Sequence, residues 1–162
     1  VYEHLLERRV SFVETDRAEI VHFSNFFRYL EEAEAGLFRS LNLGPLALVW
    51  GAAKGGVGWV RSRAELDFFN PARLDDLLTV HVWIAAKTSR GLTLGGRISR
   101  EGLVLARGGI KTICVKPGPR GLAACRIPPA LDQALEVAPW APGWPPDGSD
   151  KGRIPGTPPA AA

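Results

Sequence analysis

The order of hydrophobic periods constrains this chain most: one long stretch of helical period precedes four stretches that alternate with period two. Over residues 25–41, Phe26, Leu30, Ala33, Leu37 and Leu41 recur every three or four positions, and Phe27 and Phe38 widen the stripe. Glu31, Glu32, Glu34 and Arg39 fall largely on the other side, which predicts an amphipathic helix of about four to five turns. Ser24 or Asn25 is placed to cap its first amides, and Asn42-Leu43-Gly44-Pro45 stops it.

The alternating segments are 59–69, 77–86, 92–100 and 103–115. In the first, Val60, Ser62, Ala64, Leu66 and Phe68 are set against Arg61, Arg63, Glu65 and Asp67. In the second, Leu78, Val80, Val82 and Ile84 are set against Thr79, His81 and Trp83. Arg100-Glu101-Gly102 reads as a hairpin turn. An earlier strand is predicted over 8–14, on Val10 and Phe12. A helix between a first strand and an antiparallel run implies an α+β fold, with the helix laid on one face of about five strands.

A chain of 162 residues holds one domain, expected over 1–138 with a short helix at 128–137. Beyond Ala138 the composition turns to Pro, Gly and Ala, and the 139–162 tail is expected to be disordered. The net charge of +3 is interleaved with acidic residues, which argues against a nucleic-acid partner and leaves an acidic small molecule compatible. No apolar run reaches the ~20 residues that span a bilayer, so no membrane partner is expected. Cys114 and Cys125 form no zinc-ligand pattern, so neither metal nor cofactor is expected, and isolated thiols suit the cytoplasm.

The chemistry concentrates between the first strand and the helix. There the acidic turn Thr15-Asp16-Arg17 leads through Ile20-Val21-His22-Phe23 into the helix start. First-turn amides are unpaired donors with partial positive charge, suited to a carbonyl oxygen that gains negative charge. A carboxylate beside such donors suffices for acyl transfer, by direct attack or by activating a water. Other candidates are weaker. The glycine-rich stretch 51–58 lacks the Lys-Ser or Lys-Thr of a phosphate loop, no G-x-S-x-G elbow occurs, and Cys114 falls in a strand as a core residue.

The run Glu14-Thr15-Asp16, continued by Ile20-Val21-His22-Phe23-Ser24-Asn25-Phe26-Phe27-Arg28-Tyr29-Leu30-Glu31, resembles the opening motif of the 4-hydroxybenzoyl-CoA thioesterase family. The order of strand, long helix and four strands is similar to the hotdog fold of that family, in which the sheet wraps one central helix. The resemblance implies an acyl-CoA thioesterase acting on a fatty or aromatic acyl group, with Asp16 as base or nucleophile. It places the oxyanion donor on the Phe23 amide and the substrate-binding residues at His22 and Asn25. Lys87 and Arg90, in the turn 85–91, inherit contacts to the CoA phosphates. A homodimer or homotetramer with substrate across the subunit interface is likewise implied; the alternative is a non-catalytic hotdog module that binds acyl-CoA. The chain departs from the motif at Glu19, where the family usually has Gly. Glycine permits backbone angles that a side chain disfavours, and Glu19 adds a second carboxylate near Asp16.

Overall fold

The computed structural model describes residues 1–41 and 56–140. The stop signal at 42–45, most of the glycine-rich stretch and the tail from Ala141 onward lie outside the described residues. The elements are β1 (Glu3–Arg9), a 3-10 turn (Phe12–Glu14), α1 (Ser24–Ser40), β2 (Gly58–Phe68), β3 (Leu77–Thr88), β4 (Gly91–Arg100), β5 (Leu103–Gly118), β6 (Gly121–Ala124) and α2 (Pro129–Ala134). The strands form one antiparallel six-stranded sheet in the order β1-β3-β4-β5-β2, with β6 paired to the end of β5. The expected α+β architecture is present, and it is the hotdog fold.

One face of the sheet packs on α1. Leu78, Val80, Val82 and Ile84 of β3, Leu92, Leu94 and Ile98 of β4, and Ala106, Ile110 and Cys114 of β5 bury against Phe26, Tyr29, Leu30, Ala33 and Leu37. Gly96 lets the helix settle: an added Cβ there would come 2.6 Å from Leu30 Cδ2. The Arg100-Glu101-Gly102 turn is a two-residue hairpin in which Glu101 and Gly102 both hold positive φ, as a type I′ turn requires.

Three expectations are corrected. The first strand is Glu3–Arg9 and ends before the apolar Val10, Phe12 and Val13. It is an edge strand whose helix-facing residues are His4, Leu6 and Arg8, so it carries almost no apolar alternation. His4 packs beside Gly36, and the Arg8 guanidinium lies 4.0 Å over the Tyr29 ring. The Phe12–Val13 signal belongs instead to the 3-10 turn, closed by Glu14, which accepts the Ser11 N–H at 2.8 Å.

In β2 the expected alternation is inverted in the first half. A bulge between Arg61 and Arg63 flips the phase, so Trp59 is buried and Arg61 reaches the helix, while Leu66 and Phe68 face inward beyond it. Arg61 bonds both oxygens of Glu34, which is buried and not on the solvent side of α1.

The helix cap is the third. The N-cap position is Phe23, in αR geometry and with no side-chain cap, because the entering chain already turns through His22 O···H–N Asn25 and Phe23 O···H–N Phe26. Trp140, within the expected tail, is packed, with its ring 5.4 Å from that of Trp83.

Candidate active site

Residues 14–22 form a short hairpin-like turn. Its arms meet at the Thr15–Val21 bridge, and the His22 N–H donates to Glu14 O at 2.9 Å. At its tip the Asp16 N–H donates to Ile20 O (2.9 Å) and the Glu19 N–H to Asp16 O (3.0 Å). Asp16 Oδ1 accepts the Ala18 N–H at 2.8 Å, which fixes the carboxylate as an Asx turn does and leaves its other oxygen open. Glu19 takes φ +59°, the left-handed geometry for which glycine is suited, and this accounts for the family's usual residue there.

The turn is anchored at both ends. Val21 N–H donates to Ala72 O (2.8 Å), tying it to the β2–β3 connection. Asn25 Nδ2 donates to Glu14 O at 2.9 Å, so this side chain joins the helix start to the turn. Beneath it, Arg8 pairs with Glu14 (2.5 Å) and Glu32 (2.6 Å), which binds β1, the turn and α1 together. Burial acts against ionisation of Glu14, but the Ser11 hydrogen bonds and Arg8 outweigh it and hold this carboxyl below its usual value. Burial, with Glu14 beside it, pushes the Tyr29 phenol up.

The second arm delivers the candidate oxyanion donor. Phe23 N–H has no acceptor among the described residues, and it stands directly before α1, where the helix partial charge is positive. His22 Nδ1 meets Ser24 Oγ at 2.8 Å, and the His22 and Phe23 rings lie 4.6 Å apart. Phe23, Phe12 and Val13 are exposed beside the turn, Val13 to 88%. An exposed carboxylate, a free amide at a helix start and an apolar rim together can polarise a carbonyl and attack it, or activate a water for that purpose.

Lys87 and Arg90 lie elsewhere. The turn is tied through Val21 to Ala72, shortly before the start of β3, whereas Lys87 and Arg90 stand at and beyond the end of β3, a strand about 30 Å or more in length at about 3.3 Å per residue. The Lys87 ammonium is committed to α2, donating to Asp132 O (2.6 Å) and Leu135 O (2.8 Å) and pairing with Asp132 Oδ1 (3.0 Å). Arg90 is exposed in the turn. Cys114 is fully buried 3.6 Å from the Cys125 sulfur, and burial pushes its thiol up to about 12, which removes it as a nucleophile. The described residues hold no group of three or more His, Cys, Asp or Glu side chains suited to a metal, and no helix among them is long and apolar enough to cross a membrane.

Sequence reasoning missed two participants. Arg8 reads as a strand charge and Glu14 as the strand's end, yet they hold the turn against the helix. The spacing of Ser11 to Glu14, a capping-box signature, was the available signal.

A hotdog sheet with a carboxylate turn at the entrance of its helix defines the class. The chain belongs to the thioesterase superfamily, whose family model matches residues 18–106, and thioester hydrolysis is its reaction class. That match begins two residues beyond Asp16. A putative esterase of Aquifex aeolicus is 32% identical over 114 residues, covering 70% of this chain and 86% of its own length. The acyl-CoA thioesterase YbgC of Haemophilus influenzae is 26% identical over 110 residues, covering 68% and 79%. Among solved structures, a 1,4-dihydroxy-2-naphthoyl-CoA thioesterase from Synechocystis superposes with a TM-score of 0.71 at 25% identity, covering 82% of this chain and 94% of that one.

Proposed function

We propose that this enzyme hydrolyses a thioester between coenzyme A and a fatty or aromatic acyl group, with Asp16 as the catalytic carboxylate. The observation that carries the reading is the Asp16 turn itself. One carboxylate oxygen is held by Ala18 N–H and the other is open, on a hairpin whose far arm presents the unpaired Phe23 N–H. Relatives named as acyl-CoA thioesterases support the substrate class.

In the general-base route Asp16 takes a proton from water as the water oxygen bonds to the thioester carbon. The carbonyl oxygen gains charge against Phe23 N–H, the C–S bond breaks, and the thiolate leaves and is protonated. In the nucleophilic route the Asp16 oxygen attacks the thioester carbon first, the C–S bond breaks and the CoA thiolate leaves and is protonated as the mixed anhydride forms, and water then hydrolyses that anhydride to the free acid and Asp16. His22 and the Phe23 ring would line the acyl entrance, while Asn25 positions the turn.

The exposed Phe12 and Val13 beside the site suit cover by a second copy of the chain, in a homodimer or homotetramer. Because Arg90 stands at the far end of β3, a CoA phosphate bound near one Asp16 would meet Arg90 of the other subunit; Lys87 then serves α2. The cytoplasm, with its reduced thiols, is the compartment we assign.

The test is a panel of short, long and aromatic acyl-CoA esters assayed with a thiol-detecting reagent. Release of CoA thiol from at least one class supports the proposal; no release from any, by a folded protein, overturns it.

A further inference from the structure

The sheet face turned away from α1 carries a concavity of about 240 Å³, lined by Glu3, His81, Trp83, Arg97, Arg107 and Trp140. Its walls are largely aromatic. His81 and Trp83 are alternate residues of β3 on that face, with ring centroids 5.1 Å apart. Trp140 packs on both, 5.5 Å from His81 and 5.4 Å from Trp83. Trp83 fits because its neighbour on β4 is Gly95, where an added Cβ would come 2.2 Å from the indole Cε2.

Two of these rings hold a buried polar atom that no protein group satisfies. His81 and Trp83 are 8% and 4% exposed. The His81 Nε2–H donates to a Glu3 carboxylate oxygen at 2.9 Å; a carboxylate only accepts, so the ring's proton is on Nε2. Burial lowers the His81 pKa, with Arg97 adding, and outweighs the opposing Glu3, which favours the neutral ring. Nδ1 is then a bare acceptor, buried and without a partner. Trp83 Nε1–H can only donate, and it too is buried without a partner. One orphan acceptor and one orphan donor therefore sit on neighbouring rings of one cavity. Each is costly to leave unpaired away from water.

We propose that this concavity binds an uncharged hydroxyaryl compound, phenol being the simplest, whose hydroxyl pairs with both orphan atoms and whose ring packs against Trp140. The hydroxyl oxygen accepts the Trp83 N–H while its O–H donates to His81 Nδ1, so a single group completes both. A carboxylate does not: it accepts from Trp83 but sets its own lone pairs against that of Nδ1. The volume is sufficient, because a cavity of about 150 Å³ already takes benzene. The seat asks nothing of Arg107, which has an interaction of its own. Asp16 and Phe23 do not line it, so this is a second site, independent of the hydrolytic reading.

The test titrates phenol, anisole and benzoate into the full chain near neutral pH, following the Trp83 indole N–H resonance, assigned with Trp83→Phe. Phenol should move it saturably. Anisole keeps the ring and an accepting oxygen but has no O–H for Nδ1, and should bind about tenfold more weakly, as should benzoate. His81→Phe removes the acceptor and keeps a ring there, so phenol should lose its advantage over anisole. Trp140 is 39% exposed, so Trp140→Ala should fold, and it should weaken phenol severalfold. Asp16→Asn should bind phenol at this indole as the wild type does, which separates this site from the hydrolytic one. Absence of a saturable shift would mean that water alone completes the two orphan atoms, and it overturns the proposal. Anisole or benzoate binding as tightly as phenol, a preference for phenol that survives His81→Phe, or unchanged affinity in Trp140→Ala overturns it as well.

Discussion

Glu19 donates its backbone N–H to the Asp16 carbonyl at 3.0 Å while holding φ at +59°, so a residue in the left-handed region closes the turn that carries the carboxylate. A non-glycine residue in that region costs about 1 kcal/mol. Glu19→Gly should therefore raise the melting temperature by a few degrees and keep the turn's hydrogen bonds. Calorimetry decides it; an unchanged or lower melting temperature would mean that the Glu19 side chain compensates for its geometry.

Glu34 and Arg61 give a pH dependence of stability. Burial pushes the Glu34 carboxyl up to about 7 despite the Arg61 guanidinium, with Glu31 adding to the rise. A carboxyl whose folded value exceeds its unfolded value of 4.5 binds more protons when folded. Its contribution is complete below about 4.5 and is lost as the pH rises through about 7. Thermal unfolding from pH 4.5 to 8 should show a decline in the wild type, of several degrees, that is flattened in Glu34→Gln. Parallel curves for the two proteins would contradict this.

Much of this was legible in the sequence, and the failures have physical causes. The stripe from Phe26 to Leu41 is apolar because it meets three strands, so helical period reports it directly. The edge strand β1 escapes because one side of it lacks a neighbouring strand and its inner face is His4, Leu6 and Arg8. The bulge in β2 reverses which residues point inward, and no alternation rule sees one extra residue. Asp16, Phe23 and Asn25 are close in sequence, and they fold together as a local unit tied by Glu14 O. The roles of Lys87 and Trp140 depend on how the C-terminal segment folds back, across a separation that no local pattern encodes.

Lys87 and Arg90, three positions apart in sequence, should separate by phenotype. Lys87→Ala removes the donor to two carbonyls at the end of α2 and should cost about 1–2 kcal/mol of stability with little change in KM. Arg90→Ala should leave the melting temperature unchanged and raise KM for acyl-CoA severalfold, with a smaller effect on a thioester lacking the nucleotide. Equal effects on both substrates would show that Arg90 does not meet the phosphates.

The central claim is that Asp16 performs the chemistry, and Asp16→Asn tests it most directly. The Asn side-chain oxygen can still accept the Ala18 N–H, so the turn should persist and the melting temperature should match the wild type. An amide is a poor base and a poor nucleophile, so kcat for the best acyl-CoA substrate should fall by at least about a hundredfold while KM changes little. A kcat within a few-fold of the wild type, in a protein that folds normally, would contradict the assignment.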